Sequence, residues 1–242
     1  MLTIYKKTTM ETTWEAIAEA VKAGTLRELM GVGDEIPLEL KTGEKITVQL
    51  ADIRDRAFFV LKDCMKELKP MNERMTNKGG WAKCRMREWL NGTVLSMLPD
   101  DLQGVIQART IRQGGEETED KLWLPSFGEM FGENEDWTPV CGDEQFELYK
   151  SERSRVKEAG DNGTWWYWLR SPRSSNSTTS VVSTAAATPA PTTPATRMAW
   201  PSASAFNLES GNPRPAGRER AEVPYRNGKN LVGALRKVRE RL

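Results

Sequence analysis

Between Thr179 and Thr196 the chain reads TSVVSTAAATPAPTTPAT, and sixteen of those eighteen residues are Ser, Thr, Ala or Pro. Such a run holds little apolar surface to set against a backbone ordering cost of about 1–2 kcal/mol per residue. Pro189, Pro191 and Pro194 also lack the N–H that a sheet ladder uses. The core must therefore lie mainly elsewhere, and weak order is expected from about residue 179 to 199. Just upstream stands the opposite extreme. Trp165, Trp166, Tyr167 and Trp168 give four aromatic rings in succession, followed by Leu169-Arg170-Ser171-Pro172.

At 242 residues there is room for one large domain or two small ones with a substantial core. A net charge of +1 gives no global pull toward nucleic acid or an anionic surface. From Arg214 onward, nine Lys/Arg against three Glu make a basic C-terminal tail over residues 211–242, read first as a solvated helix. Histidine is absent, which removes Ser-His-Asp and Cys-His catalysis and the usual nitrogen ligands of zinc. Cys64, Cys84 and Cys141 are far apart and form no CxxC pair, so they read as buried or free thiols. No long apolar stretch or charged-then-apolar N-terminus occurs, so cytoplasmic synthesis without a membrane span is expected.

Periodicity places the local elements. In TTWEAIAEAVK, Trp14, Ile17, Ala18 and Val21 follow helical spacing, with Thr12 or Thr13 as cap and Gly24 as stop. VGDEIPLEL and EKITVQLADI alternate around Thr42-Gly43 and predict a hairpin; AFFVLKDCM predicts a further buried strand. WAKCRMREWLNGTVLSMLPDDLQGVIQ predicts two or three short helices, with a break permitted at Asn91-Gly92. ARTIRQ and KLWLPS are expected as strands flanking an acidic loop, GGEETED. Ser126 can cap a short helix ending near Gly132, and GDEQFELYKSERSRVKEA predicts a charged helix with Phe146, Tyr149 and Val156 inward. The fold class expected is α+β, with a helix-plus-hairpin unit over 1–70 and the main domain over 71–210.

No motif of bond-making chemistry emerges. Gly31 and Gly33 precede a strand, not the helix that would hold a phosphate. EETED and GENEDW lack the spacing of a calcium loop. Paired carboxylates for acid–base work can assemble from distant positions, but nothing in the spacing nominates a pair. The expectation is no enzyme, no cofactor and no metal. For Trp165–Trp168 two readings stand: an exposed face that stacks sugars or bases, or a strand that buries alternate rings. The strand reading is favoured, because Leu169-Arg170-Ser171-Pro172 continues it to a proline stop.

Three blocks together resemble a known family. GGWAKCRMREWLNGTVLSMLPDDLQGVI, EDKLWLPSFGEMFG and GDEQFELYKSERSRVKEAGDNGTWWYWLRSP are similar, in order and spacing, to a bacterial and phage domain family of unassigned function. That family is similar in fold to C-type-lectin-like and formylglycine-generating-enzyme-like domains. Many members resemble the variable proteins of diversity-generating retroelements, in which a reverse transcriptase randomises chosen codons. The resemblance covers about residues 10–172. It implies a C-type-lectin-like domain with irregular loops, and a function in recognition. Trp165, Trp166, Trp168, Leu169 and Arg170 would be scaffold beneath a variable segment at 173–204. Arg173, Ser174, Ser175, Asn176, Ser177 and Thr178 would contact a ligand. The partner implied is a protein or glycan on a host surface, with other virion proteins as a further possibility, display on a virion, no membrane, and nucleic acid disfavoured.

The run after Thr178 departs from that family, whose variable segment is rich in Asn and Tyr. Thr, Ala and Pro codons all carry C in the middle. Read one nucleotide back, the Thr codons become Asn, Asp, Tyr or His codons, and Met198-Ala199-Trp200-Pro201 becomes compatible with the family's NGVA. A frameshifted variable region is the expectation, with family-like text returning at Ala205-Phe206-Asn207-Leu208; a native Pro/Thr/Ala linker is the alternative. Beside the binding protein stand a structural virion protein without a variable ligand and an enzyme of the formylglycine-generating-like fold. No cysteine pair matches the latter's chemistry, and its mark would be turnover of a cysteine-containing peptide that is lost on replacing Cys84 or Cys141.

Overall fold

The computed structural model describes residues 2–4, 10–74, 76–132, 143–172, 180–183, 189–192, 198–200 and 205–209. The chain opens with a short hairpin, β1 (Leu2–Ile4) and β2 (Met10–Thr12), and then α1 (Trp14–Ala23) and α2 (Leu26–Leu29). The α1 helix forms as the sequence predicts. Thr13 Oγ1 accepts the Ala16 N–H at 3.1 Å, Gly24 closes the helix at φ 72°, and Trp14, Ile17, Ala18 and Val21 are all buried.

Four strands follow: β3 (Glu35–Glu39), β4 (Lys45–Ile53), β5 (Arg56–Leu61) and β6 (Met65–Lys69). The expected hairpin is β3–β4, in register Leu38↔Ile46. The middle of the chain holds α3 (Arg85–Trp89), α4 (Leu95–Met97) and α5 (Asp100–Val105), then β7 (Arg109–Gln113), β8 (Glu116–Asp120) and α6 (Phe127–Phe131). The last part holds β9 (Tyr167–Pro172), β10 (Ser180–Ser183), β11 (Pro189–Thr192), β12 (Met198–Trp200) and β13 (Ala205–Glu209).

The fold is a mixture of helix and open sheets, largely antiparallel. One sheet has the order β13-β5-β4-β3 and another β11-β10-β9-β12-β6, while β7–β8 is a separate hairpin. β13 therefore returns from the far end of the chain to pair with β5, Phe206 opposite Phe59. Those two rings stack at 5.2 Å, and Trp14 meets both edge-on at 5.5 and 5.9 Å. Residues 1–70 thus share one buried core with the rest of the described chain.

Four local expectations are corrected. The acidic stretch EETED is the strand β8, not a loop. Gly114 and Gly115, at φ 63° and 81°, make a two-residue turn that brings Glu116 opposite Gln113. KLWLPS forms no strand; Leu122, Trp123 and Leu124 are buried in an irregular run. Residues 147–155 are two 3-10 turns, not a helix, because side chains take the carbonyl groups a helix would use. The Tyr149 carbonyl accepts from Gln145 Nε2 at 3.1 Å and Arg155 Nε at 2.7 Å. Asn91-Gly92 does not break its helix either. A π-turn at Leu90–Val94 joins α3 to α4, and Asn91 Nδ2 donates to the Arg87 carbonyl at 3.2 Å.

The fifth correction falls on the Pro/Thr/Ala run. Three short strands, β10, β11 and β12, lie where weak order was expected. Proline is accommodated because β11 is an edge strand, paired only with β10 in the register Val181↔Pro191 and Ser183↔Pro189. Only one rim of an edge strand must supply donors, so Ala190 and Thr192 can serve the ladder.

Candidate ligand-binding face

β9 is the element from which the candidate face departs. Tyr167, Trp168, Leu169, Arg170 and Ser171 are all buried, so both faces of the strand are covered and burial is continuous, not alternating. Several of its polar groups are held. The Tyr167 hydroxyl donates to the Arg155 carbonyl at 2.6 Å, and Trp168 Nε1 to the Lys69 carbonyl at 3.0 Å. The Arg170 N–H donates to the Pro125 carbonyl at 3.1 Å, and Ser171 Oγ accepts the Phe127 N–H at 2.9 Å.

Arg170 belongs to a ring of four charges. Its Nη1 lies 2.5 Å from Glu129 Oε2, and its Nη2 2.6 Å from Asp143 Oδ2. Arg109 closes the ring, bonded to Glu129 and 3.4 Å from Asp143. The ring is neutral overall, which is what allows its burial. Burial would raise the Glu129 carboxyl, but Arg170 and Arg109, with the Ser126 N–H, override it and hold it at about 2. Ser126 and Glu129 also form a capping box on α6, so the expected cap is present and its acidic member serves twice. Gly128 is needed here for proximity. A Cβ on it would lie 2.8 Å from the Asp143 carbonyl oxygen.

A second buried carboxylate, Asp120, gathers the block GGWAKCRMREWLN. Asp120 accepts from Trp81 Nε1 at 2.8 Å, Arg87 Nε at 2.7 Å, Thr118 Oγ1 at 2.7 Å and Asn91 Nδ2 at 3.2 Å. Asn91 Oδ1 in turn accepts the Lys121 and Leu122 N–H groups at 2.8 and 3.1 Å. These residues knit α3 to β8. Cys84 acts as the N-cap of α3, taking the Arg87 N–H at 3.4 Å, and burial pushes its thiol up to about 12.

Two surface features remain. A cleft of about 480 Å³ opens beside Trp89, walled by Lys69, Asn72, Glu73, Arg85 and Glu88. Its charges are already matched: Arg85 bonds Glu73 at 2.9 Å and Glu88 at 3.0 Å, and Lys69 Nζ sits 5.0 Å from the Trp89 ring centre. Trp165 and Trp166 are the other feature. They precede β9 and are 37% and 43% exposed.

Of the residues predicted as scaffold, Trp168, Leu169 and Arg170 are therefore in the core, whereas Trp165 and Trp166 are at the surface. The burial expected to alternate divides instead between successive pairs, because β9 begins at Tyr167. The predicted contact residues Arg173, Ser174, Ser175, Asn176, Ser177 and Thr178 lie outside the described residues, as do Cys141, most of GENEDW and the tail at 211–242. Sequence reasoning passed over Asp120, Glu129 and Asp143 as functional side chains of the scaffold. It also missed Lys157, which is buried and donates to the Leu61 carbonyl at 2.8 Å. The capping-box spacing was the one local signal for any of them. Among the described residues no group of three or more His, Cys, Asp or Glu is placed to hold a metal, and no helix is long and apolar enough to cross a membrane.

Fold and site together define a mixed α/β domain in which one strand, β9, is buttressed by buried ion pairs. A family model described as Domain of unknown function (DUF6273) matches residues 55–211, more than half of the chain, and the chain belongs to that family. No curated protein matches it, and no solved structure does.

Proposed function

We propose that the chain is a ligand- or receptor-binding protein of phage or prophage type, with a C-type-lectin-like body and a segment diversified by a retroelement. In this reading Arg173, Ser174, Ser175, Asn176, Ser177 and Thr178 make the contacts. Arg173 can pair with an acidic group and the others supply hydrogen bonds. The observation that carries the reading is the locking of β9. The side chains of Tyr167, Trp168, Arg170 and Ser171 are tied to four other segments, so the sequence beyond Pro172 can change without moving the strand. Pro172 and Ser180 are register partners, so the residues between them begin and end side by side. Burial of Phe206 and Leu208 in β13 supports the return of in-frame family text after a frameshifted run.

The locus supplies the test. Coding DNA from independent isolates should differ in codons 173–204 and not in codons 165–172. A near-repeat of the Trp165–Phe206 coding region and a reverse transcriptase gene should lie nearby. Identical codons in every isolate, with no repeat, would overturn the reading in favour of an invariant structural component.

A further inference from the structure

We infer that β13 is a clasp: the slot between β5 and α1 recognises the segment Ala205–Glu209, and folding depends on that segment while tolerating replacement of most of the run before it. The two stretches are close in sequence but contribute different things. From Thr184 to Thr196 every residue is Ala, Thr or Pro. Such a stretch offers main-chain pairing, as β11 does to β10, and little apolar surface to bury. β13 offers side chains. Phe206 is 3% exposed, and Asn207 and Leu208 are fully buried.

Three segments shape the slot. β5 pairs along the whole length of β13, from Ala205↔Val60 to Glu209↔Arg56. Phe59 stacks on the Phe206 ring, and Trp14 of α1 meets that ring at a steep angle. The Gln107 N–H, just past α5, donates to the Asn207 carbonyl at 3.1 Å. Phe206 also lines a void of about 20 Å³ with Val48, Leu61, Met65, Val94 and Leu98, so it reaches the core that β4, β5 and β6 share with α4. Register is fixed by the same groups. A one-residue slip would turn Phe206 and Leu208 to the opposite face and put Asn207 where the rings meet.

The clasp limits how the coding sequence can vary. A change of reading frame that begins and ends within codons 184–204 leaves β13 whole. One that runs on past codon 204 replaces Phe206 and Leu208 and leaves Trp14 and Phe59 without their partner. Such a chain unfolds more readily and is cleared. β13 thus screens products for a restored frame. The screening role rests on the proposed diversification of residues 173–204; the clasp itself does not.

The test uses the full chain. Shuffling the order of residues 184–196 should shift the melting temperature by about 3 °C or less. F206A and L208A should each lower it by about 5–15 °C. A synthetic peptide of residues 203–211 should bind the chain carrying both F206D and L208D. It should raise that variant's melting temperature, or fold it outright if the variant alone is unfolded. The same peptide should not bind the parent, whose slot is filled by its own strand at high effective concentration. A shuffled run that costs as much as F206A, an F206A chain that melts with the parent, or a peptide that leaves the double variant unchanged overturns the inference. Identical codons 173–204 in every isolate would remove the screening role and leave the melting and peptide results standing, so the two readings fail separately.

Discussion

Arg170 Nη1 and Glu129 Oε2 meet at 2.5 Å in the core, although the two residues are 41 positions apart. The pair joins β9 to the first turn of α6, and Asp143 and Arg109 complete it. E129Q removes one charge and leaves Arg170 buried against a single carboxylate. It should cost about 3–5 kcal/mol in urea denaturation, well above the typical surface substitution.

Glu129 also sets an acid dependence. Its carboxyl is held at about 2 against an ordinary 4.5, so the folded state sheds this proton more readily than the unfolded one. The stability it contributes, roughly 3 kcal/mol, is complete above pH 4.5 and is lost as pH falls from there toward 2. Denaturation midpoints followed across that window should fall steeply in the parent chain and less steeply in E129Q.

Lys157 acts with the opposite sign. Burial lowers its ammonium group from 10.5 to about 8, so between those values the unfolded chain holds more protons. Its effect is to make stability rise with pH across the window. K157M should be more stable than the parent by about 1–3 kcal/mol at pH 7, with the difference shrinking toward pH 10. Urea titrations of both chains at pH 7, 8.5 and 10 measure this.

The tryptophans should separate by position. W168A opens a cavity in a fully buried site and should cost about 3–5 kcal/mol. W165A and W166A should stay within about 0.5 kcal/mol of the parent. Equal destabilisation of all three would contradict the surface position of the first two.

Asp120 should prove as sensitive as the core rings. D120A strips the acceptor from Trp81 Nε1 and Arg87 Nε together, for a loss of about 3–5 kcal/mol. W81F, which removes one hydrogen bond and part of a ring, should cost visibly less by the same urea measurement.

What the sequence disclosed was local chemistry. Thr13 and Gly24 bound α1, Thr42-Gly43 marks the β3–β4 hairpin, and Ser126 with Glu129 caps α6, because each signal lies within a few residues of its effect. Trp81 and Arg87 beside Asp120, and Glu129 and Asp143 beside Arg170, were hidden because they come from segments tens of residues away, and no spacing rule reaches that far. EETED was misread because charge was taken for solvation. The Gly114-Gly115 turn outweighed it by bringing each acidic residue opposite a partner, as Glu117 faces Arg112. Trp165 and Trp166 were read as scaffold with burial alternating along the run, because the aromatic run gives no sign that β9 begins only at Tyr167.

The prolines of β11 have an effect beyond their own strand. A sheet margin with free N–H groups invites stray chains to add themselves, which is a route to fibres and precipitates. Pro189 and Pro191 take two such donors off the outer margin of the five-stranded sheet. The sheet thereby carries a built-in guard against adding a strand from another chain at that margin.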